Sequence, residues 1–258
     1  MRIASSISGS WNTILENSDL LPADAAHVSV FIWPVGEPVA PEDWALLDSE
    51  EQLRAQRFRF ADHKQRFVAA HAGVRRLLGK ILGHAGADLR FIADPNKKPQ
   101  LADRAVRFNL THSGDWAALA VSHEAEVGID IEEIRAVEPE LPRRYFSAQE
   151  QADLSSLLPT HDLWLASFFR CWTRKEALLK ATGAGITLPL DAFTVSLLPG
   201  APAQLVASSL PELQPAGWNL FSLDETPNCA GAVAASSFVQ SVSIFSIGFD
   251  AAAAKGSA

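Results

Sequence analysis

The spacing of hydrophobic positions changes along this chain, and the changes mark its elements. Over 62–82, Phe67, Ala70, Val74, Leu77, Leu78 and Ile81 recur at helical spacing, while Arg66, Arg75, Arg76 and Lys80 lie mostly off that face. The pattern predicts a long helix stopped by Gly83. A second long helix is predicted over 162–182, where Leu165, Phe169, Trp172 and Leu179 run along the stripe that holds Glu176, with Gly183 and Gly185 just beyond. A further helix is expected over 42–60, and Ser147 with Glu150 fits a capping box opening a short one that Pro159 closes. β-branched and aromatic runs predict strands at 28–33, 91–93, 107–111, 116–121, 127–132, 193–198, 218–222, 230–235 and 242–249. The short links between 107 and 132 favour an antiparallel meander. Residues 1–26 show no strong period and are expected to be partly disordered, and 251–258 read as a tail.

This order of elements predicts an α+β fold of two similar halves, each a long helix packed on a small, mainly antiparallel sheet. The expected division is 1–125, 126–250 and a flexible tail at 251–258. No internal sequence repeat supports the duplication; it rests on element order alone.

Composition narrows the function classes. The 258 residues are 48% hydrophobic and 20% charged, ordinary for a globular protein with a sizeable core. A net charge of −8 argues against non-specific nucleic-acid binding, which depends on neutralising phosphates, but leaves room for one compact basic pocket. Two cysteines, Cys171 and Cys229, make no disulfide framework and point to a reducing compartment, expected to be the cytoplasm. The stretch 226–249 carries no charge, but six serine and glutamine residues interrupt it and its period near the end is two, so it reads as two strands rather than a membrane span.

The candidate chemistry lies in three segments. In Gly128-Ile129-Asp130-Ile131-Glu132, strand alternation puts Asp130 and Glu132 on one face and the isoleucines on the other. An exposed acidic strand face would look the same. In Trp172-Thr173-Arg174-Lys175-Glu176-Ala177-Leu178-Leu179-Lys180, residues four apart share a face, which aligns Trp172, Glu176 and Lys180. A Glu four residues before a Lys is also the favoured surface ion pair, but the apolar stripe around Glu176 predicts partial burial, and a buried carboxylate needs a partner. In Phe108-Asn109-Leu110-Thr111-His112-Ser113-Gly114, small donors at a strand end can cradle a phosphate or simply bond their own turn. Lys97 and Lys98 before Pro99, with Arg54, Arg57, Arg59 and Arg66, could wall a multiply charged ligand.

Taken together, these segments resemble the phosphopantetheinyl transferases, in particular the larger type that activates surfactin synthetase. The family's G-[IV]-D-x-E is matched at 128–132, its W-[ST]-x-K-E-[AS]-x-x-K at 172–180 and its F-N-[IL]-S-H-S at 108–113. Its G-K-P is approximated by Lys97-Lys98-Pro99 and its basic early helix by 57–76, so that the likeness covers about 50–195. Thr111 replaces the usual serine and keeps the hydroxyl; Lys97 replaces a glycine. The resemblance implies coenzyme A bound between two α+β halves, with transfer of 4′-phosphopantetheine to a serine of an apo acyl or peptidyl carrier protein and release of adenosine 3′,5′-bisphosphate. It implies Mg²⁺ held by Asp130, Glu132 and Glu176, with phosphate contacts from Lys180 and His112 and nucleotide contacts from Arg54, Lys98 and Thr111. Glu176 is the first choice for the base that takes the serine proton, with Glu132 second. A carrier-docking surface of apolar residues with arginines, drawn from Arg75, Arg76 or Arg174, is expected, and a monomer.

Two other readings share these residues. One is a non-catalytic regulator that binds coenzyme A or a nucleotide; the other is a metal-dependent phosphodiesterase. Intact Asp130, Glu132, Glu176 and Lys180 favour catalysis, and the lack of a histidine-rich cluster disfavours a typical hydrolase.

Overall fold

A computed structural model describes residues 2–93, 98–158, 160–185, 188–224 and 226–248. Lys97, Pro159 and the tail at 251–258 lie outside these. In chain order the elements are β1 (Arg2–Gly9), α1 (Trp11–Glu16), β2 (His27–Pro34), α2 (Pro41–Leu46), α3 (Ser49–Gln56), α4 (Ala61–Leu82), β3 (Phe91–Ala93), β4 (Pro99–Leu101), β5 (Arg107–Ser113), β6 (Trp116–Ser122) and β7 (Val127–Glu133). They continue as α5 (Leu141–Tyr145), α6 (Ala148–Ser155), α7 (His161–Thr182), β8 (Phe193–Val195), β9 (Leu205–Ser208), β10 (Trp218–Leu223), β11 (Cys229–Ser236) and β12 (Ser241–Ile247).

The fold is mixed α+β. One sheet has the order β1-β12-β2-β6-β5 and a second the order β10-β11-β7, with two small hairpins, β3-β4 and β8-β9. The two larger sheets lie between the two long helices. Phe31, Trp33, Leu119 and Phe245 meet Val74, Leu77 and Leu78 of α4 in one core. The other face of that sheet, with Val30, Ile32, Ala120 and Ile244, packs on Ile129, Ile131 and Val233 of the second sheet. Leu220, Ala232 and Ala234 on the second sheet's far face meet Phe169, Leu178 and Ala181 of α7.

Both long helices end as their sequences predict. Gly83 and Gly183 take left-handed conformations with φ of 70° and 68°, which glycine adopts without steric penalty. The Ser147–Glu150 capping box opens α6.

Four sequence expectations change. The helix over 42–60 is broken after Leu46, because Leu47 is extended and Asp48 caps α3 through a capping box with Glu51. Residues 2–16 are ordered as β1 and α1, since β1 pairs in parallel with β12 from the far end of the chain. The meander stops at two strands: β5 and β6 pair, but β7 joins β11 in the other sheet. Arg75 and Arg174, expected to dock a partner, are buried at 0% and 1% exposure. Arg75 bonds Asp48, Glu51 and the carbonyls of Gly86 and Leu89, and Arg174 bonds Ser196 and Ser222. Arg76 stays partly exposed and pairs with Asp43.

One close approach positions the site. A Cβ on Gly128 would stand 2.1 Å from the Ala177 carbonyl oxygen and 2.3 Å from the Ala181 nitrogen. The α7 backbone therefore rests directly on β7 at this glycine, and no larger residue allows that separation. Glu176 and Lys180 flank the crossing, one residue from Ala177 and Ala181 respectively.

Candidate active site

Strand alternation places the β7 acids as the sequence predicts. Ile129 and Ile131 enter the core between the sheets, and Asp130 stands opposite Ala232, whose side chain packs on the α7 side. Lys180 reaches down from α7: its Nζ donates to Asp130 Oδ1 at 2.6 Å and to Thr111 Oγ1 at 3.2 Å. The Thr111 hydroxyl in turn donates to Asp130 Oδ1 at 3.1 Å. Glu132 Oε2 accepts from Ser113 Oγ at 2.7 Å. Glu176, half-buried on the Trp172 stripe, is close enough to Asp130, Glu132 and Lys180 for their charges to act on it or be acted on by it.

The electrostatics follow from crowding acids under a helix. Burial pushes the Asp130 carboxyl up to about 7, outweighing the opposing attraction and hydrogen bond of Lys180, while the charges of Glu132 and Glu176 push it further up. Glu176 is also raised, first by burial, against Lys180 and with Glu132. Asp130 Oδ2 is buried and has no hydrogen-bond partner among the described residues. Repelling carboxylates with an unpaired inner oxygen are a donor set that favours a hard cation. As the side chains stand, no group of three His, Cys, Asp or Glu residues converges as a metal cage among the described residues. Lys180 and Ser113 hold oxygens of Asp130 and Glu132 instead.

The basic residues divide between two places. His112 is exposed by surface area, yet the chain around it is dense enough that desolvation is the main cause of its lowered pKa, followed by the positive neighbours His71, Lys180, Arg54 and Arg66. This cationic cluster is suited to an anion. Beside it opens a cavity of about 570 Å³ lined by Arg54, Arg57, His71, Phe91, Phe108 and Leu110 among others. Arg54 lies over the Phe67 ring at 5.1 Å, and His71 is held by Glu51 at 2.7 Å. Lys98 stands apart from this group. Its Nζ donates to the Val127 carbonyl at 3.0 Å and lies 4.0 Å from Glu126.

The family comparisons fall on these same segments. The model described as the 4′-phosphopantetheinyl transferase superfamily matches 126–235, and the one described as 4′-phosphopantetheinyl transferase, N-terminal, matches 40–124. The 4′-phosphopantetheinyl transferase HetI of a Nostoc species is 38% identical over 200 residues, 75% of this chain and 80% of the relative. The chain belongs to the 4′-phosphopantetheinyl transferase superfamily. The transferase psf-1 of Bacillus pumilus is 37% identical over 57% of this chain and 63% of its own. The transferase Sfp of Bacillus subtilis is 30% identical over 59% and 67%. The chain is thus a transferase enzyme of the larger type, and no described helix is long and apolar enough to cross a membrane.

For this transferase the structure brings Asp130, Glu132, Glu176, Lys180, Thr111 and His112 into one neighbourhood, with Arg54 on the adjoining cavity. Three residues with roles here escape the sequence reading. Ser113 holds an acid of the site rather than lying free for a phosphate. Asn109 bonds the Ile129 backbone N–H at 2.8 Å. Lys175 is a fully buried brace beneath Glu176. The family-like motifs contain all three, but nothing in their spacing distinguishes a brace from a ligand.

The raised Asp130 carboxyl predicts a pH effect. Between 3.8, its ordinary value, and about 7 the unfolded chain has lost this proton while the folded chain retains it. The native state therefore binds more protons, and stability falls as pH rises through that window. In chelator, Asp130→Asn should gain melting temperature relative to the parent as pH is raised from about 4 to about 7. A gap that stays constant with pH would show that Asp130 ionises normally in the fold.

Proposed function

We propose that this transferase moves 4′-phosphopantetheine from coenzyme A to a serine of an apo acyl or peptidyl carrier protein, with Mg²⁺, releasing adenosine 3′,5′-bisphosphate. The observation that carries the reading is the meeting of three acids with a lysine and a histidine beside one cavity. Asp130, Glu132 and Glu176 gather around Lys180, which bonds Asp130 at 2.6 Å; His112 is close enough to feel the charges of Lys180 and Arg54, and Arg54 lines the adjoining 570 Å³ cavity. A magnesium diphosphate ester needs both the acids and the cations.

The serine hydroxyl of the carrier attacks the phosphorus attached to pantetheine. A new P–O bond forms, the bridging P–O bond breaks, and its electron pair leaves on the adenosine bisphosphate. The hydroxyl proton passes to Glu176, whose carboxyl is raised by burial in the metal-free chain. Lys180 sets a fixed positive charge against the phosphate oxygens. His112 contacts phosphate and Arg54 contacts the nucleotide end, while Thr111, bonded to Asp130 and Lys180, and Lys98, bonded to the Val127 carbonyl, brace the strands beside it. Mg²⁺ would be held by Asp130, Glu132 and Glu176, where it would neutralise the acids and polarise the phosphoryl group. The buried, unpartnered Asp130 Oδ2 supports this assignment.

The same reading divides the chain into halves at 1–125 and 126–250, related by a pseudo-twofold. It is supported by one long helix on each larger sheet; β12, from the second half, crosses into the first sheet between β1 and β2. Because one chain supplies every site residue, the enzyme acts as a monomer, in the cytoplasm, on carriers of fatty-acid, polyketide or nonribosomal-peptide synthesis.

The test is to mix the protein with coenzyme A, Mg²⁺ and several apo-carrier proteins and to weigh the carriers by mass spectrometry. One pantetheine adduct on a carrier serine is expected. Coenzyme A bound without any adduct would make the protein a binder; free phosphopantetheine released without carrier would make it a hydrolase.

A further inference from the structure

The two larger sheets meet along strand edges that share no backbone ladder among the described residues. β5 is the last strand of one sheet and β7 the last of the other. An open strand edge carries N–H and C=O groups that need partners when buried. Here side chains from the first half of the chain supply them. Lys98 donates to the Val127 carbonyl at 3.0 Å, Asn109 Oδ1 accepts the Ile129 N–H at 2.8 Å, and Ser113 Oγ accepts the Glu133 N–H at 3.1 Å. Asn109, Thr111 and Ser113 alternate on β5 and so share one face, turned away from the α4 core that Phe108 joins. The row is a seam in which side chains replace a backbone ladder.

Ser113 does two things in this seam. Its oxygen accepts from the Glu133 backbone, which orients its hydroxyl hydrogen, and that hydroxyl donates to Glu132 Oε2 at 2.7 Å. The carboxylate is thereby fixed by a group that is itself fixed. Thr111 does the same for Asp130 one step along the row, but Thr111 also touches Lys180 and belongs to the site already described. Ser113 is bonded to β7 alone in this seam, and it stands at the turn where β5 gives way to Gly114.

We infer that Ser113 is a positioning residue for the transfer, holding the Glu132 carboxylate in its working orientation rather than binding phosphate. The inference rests on the role given to Glu132 above. Outer partners that orient a ligand carboxylate are typically worth about 10–100-fold in activity. Threonine at 113 keeps the hydroxyl; alanine removes it.

The experiment compares wild type, Ser113→Ala and Ser113→Thr in the carrier-modification assay, with kcat, KM for coenzyme A and melting temperature measured for each. Ser113→Ala is expected to lose about 10–100-fold in kcat, with KM and melting temperature nearly unchanged, and Ser113→Thr to regain most of the loss. Wild-type kcat in Ser113→Ala overturns the inference. So does a loss that follows melting temperature and is not restored by threonine, which marks a merely structural serine; so does a rise in KM alone, which marks a substrate contact. A wild-type protein that modifies no carrier brings down the proposed function, and this inference with it.

Discussion

Glu176→Gln should lower turnover by about 10²–10⁴-fold, the range for loss of a general base, while leaving coenzyme A affinity close to that of the parent. Glutamine keeps the shape of the side chain and its place on the α7 stripe, so packing against Trp172 and the crossing at Gly128 should survive. What it loses is the ability to take a proton and the negative charge. The carboxyl of Glu176 is raised by burial and by Glu132, and opposed by Lys180. In the metal-free chain its carboxylate therefore holds a proton more readily than a free glutamate. Arg54 and Arg57, on the wall of the adjoining cavity, keep their charge and place in this variant. That separation makes the split between kcat and KM informative. Parent-like turnover would remove Glu176 from proton transfer and leave Glu132 as the base. A loss confined to coenzyme A affinity would instead make Glu176 a binding residue.

Much of this site could be read without coordinates because its pieces obey local periods. Alternation on β7 sends Asp130 and Glu132 one way and Ile129 and Ile131 the other. Helical spacing puts Glu176 and Lys180 on one stripe of α7. The uncharged stretch 226–249 reads as two strands, and β11 and β12 stand there, β12 between β1 and β2. Val242, Ile244 and Ile247 are fully buried there, and a strand enclosed on both faces tends toward a continuous apolar run. What could not be read is long-range. Arg75 looks like a surface cation on a helix; its partners Asp48 and Glu51 lie on another helix, and only folding places them around it. The Asp48–Glu51 capping box, by contrast, was a local signal that the expectation of one helix over 42–60 passed over. Nor does the sequence show that Gly128 serves by having no side chain where α7 touches the sheet.

Lys175→Met should cost about 3–5 kcal/mol of folding stability, the range for breaking one partner out of a buried ion pair. Lys175 and Glu150 are both 0% exposed. The ammonium lies 2.8 Å from Glu150 Oε2, donates to the carbonyls of Leu190 and Phe193 at 2.7 and 2.6 Å, and sits 4.3 Å from the Phe193 ring centre. Glu150 uses its other bonds to hold the Ser147 and Val195 N–H groups at 2.8 and 2.7 Å. Methionine fills similar space but leaves a buried carboxylate without its counter-charge and two carbonyls without a donor. Since a typical domain is stable by about 5–15 kcal/mol, the variant should unfold at much lower denaturant, read from the urea midpoint. Adding Glu150→Gln should recover part of the loss, because it removes the unpaired charge, so the two changes should not add. A single-variant loss below about 1 kcal/mol, of the size seen for exposed pairs, would mean that water reaches this pair. The brace also bears on chemistry. Lys175 is the residue before Glu176, and its bonds tie this turn of α7 to the α6 N-terminus and to β8. A protein that folds without it should therefore lose activity beyond the fraction unfolded, because Glu176, the proposed base, would no longer be held over β7.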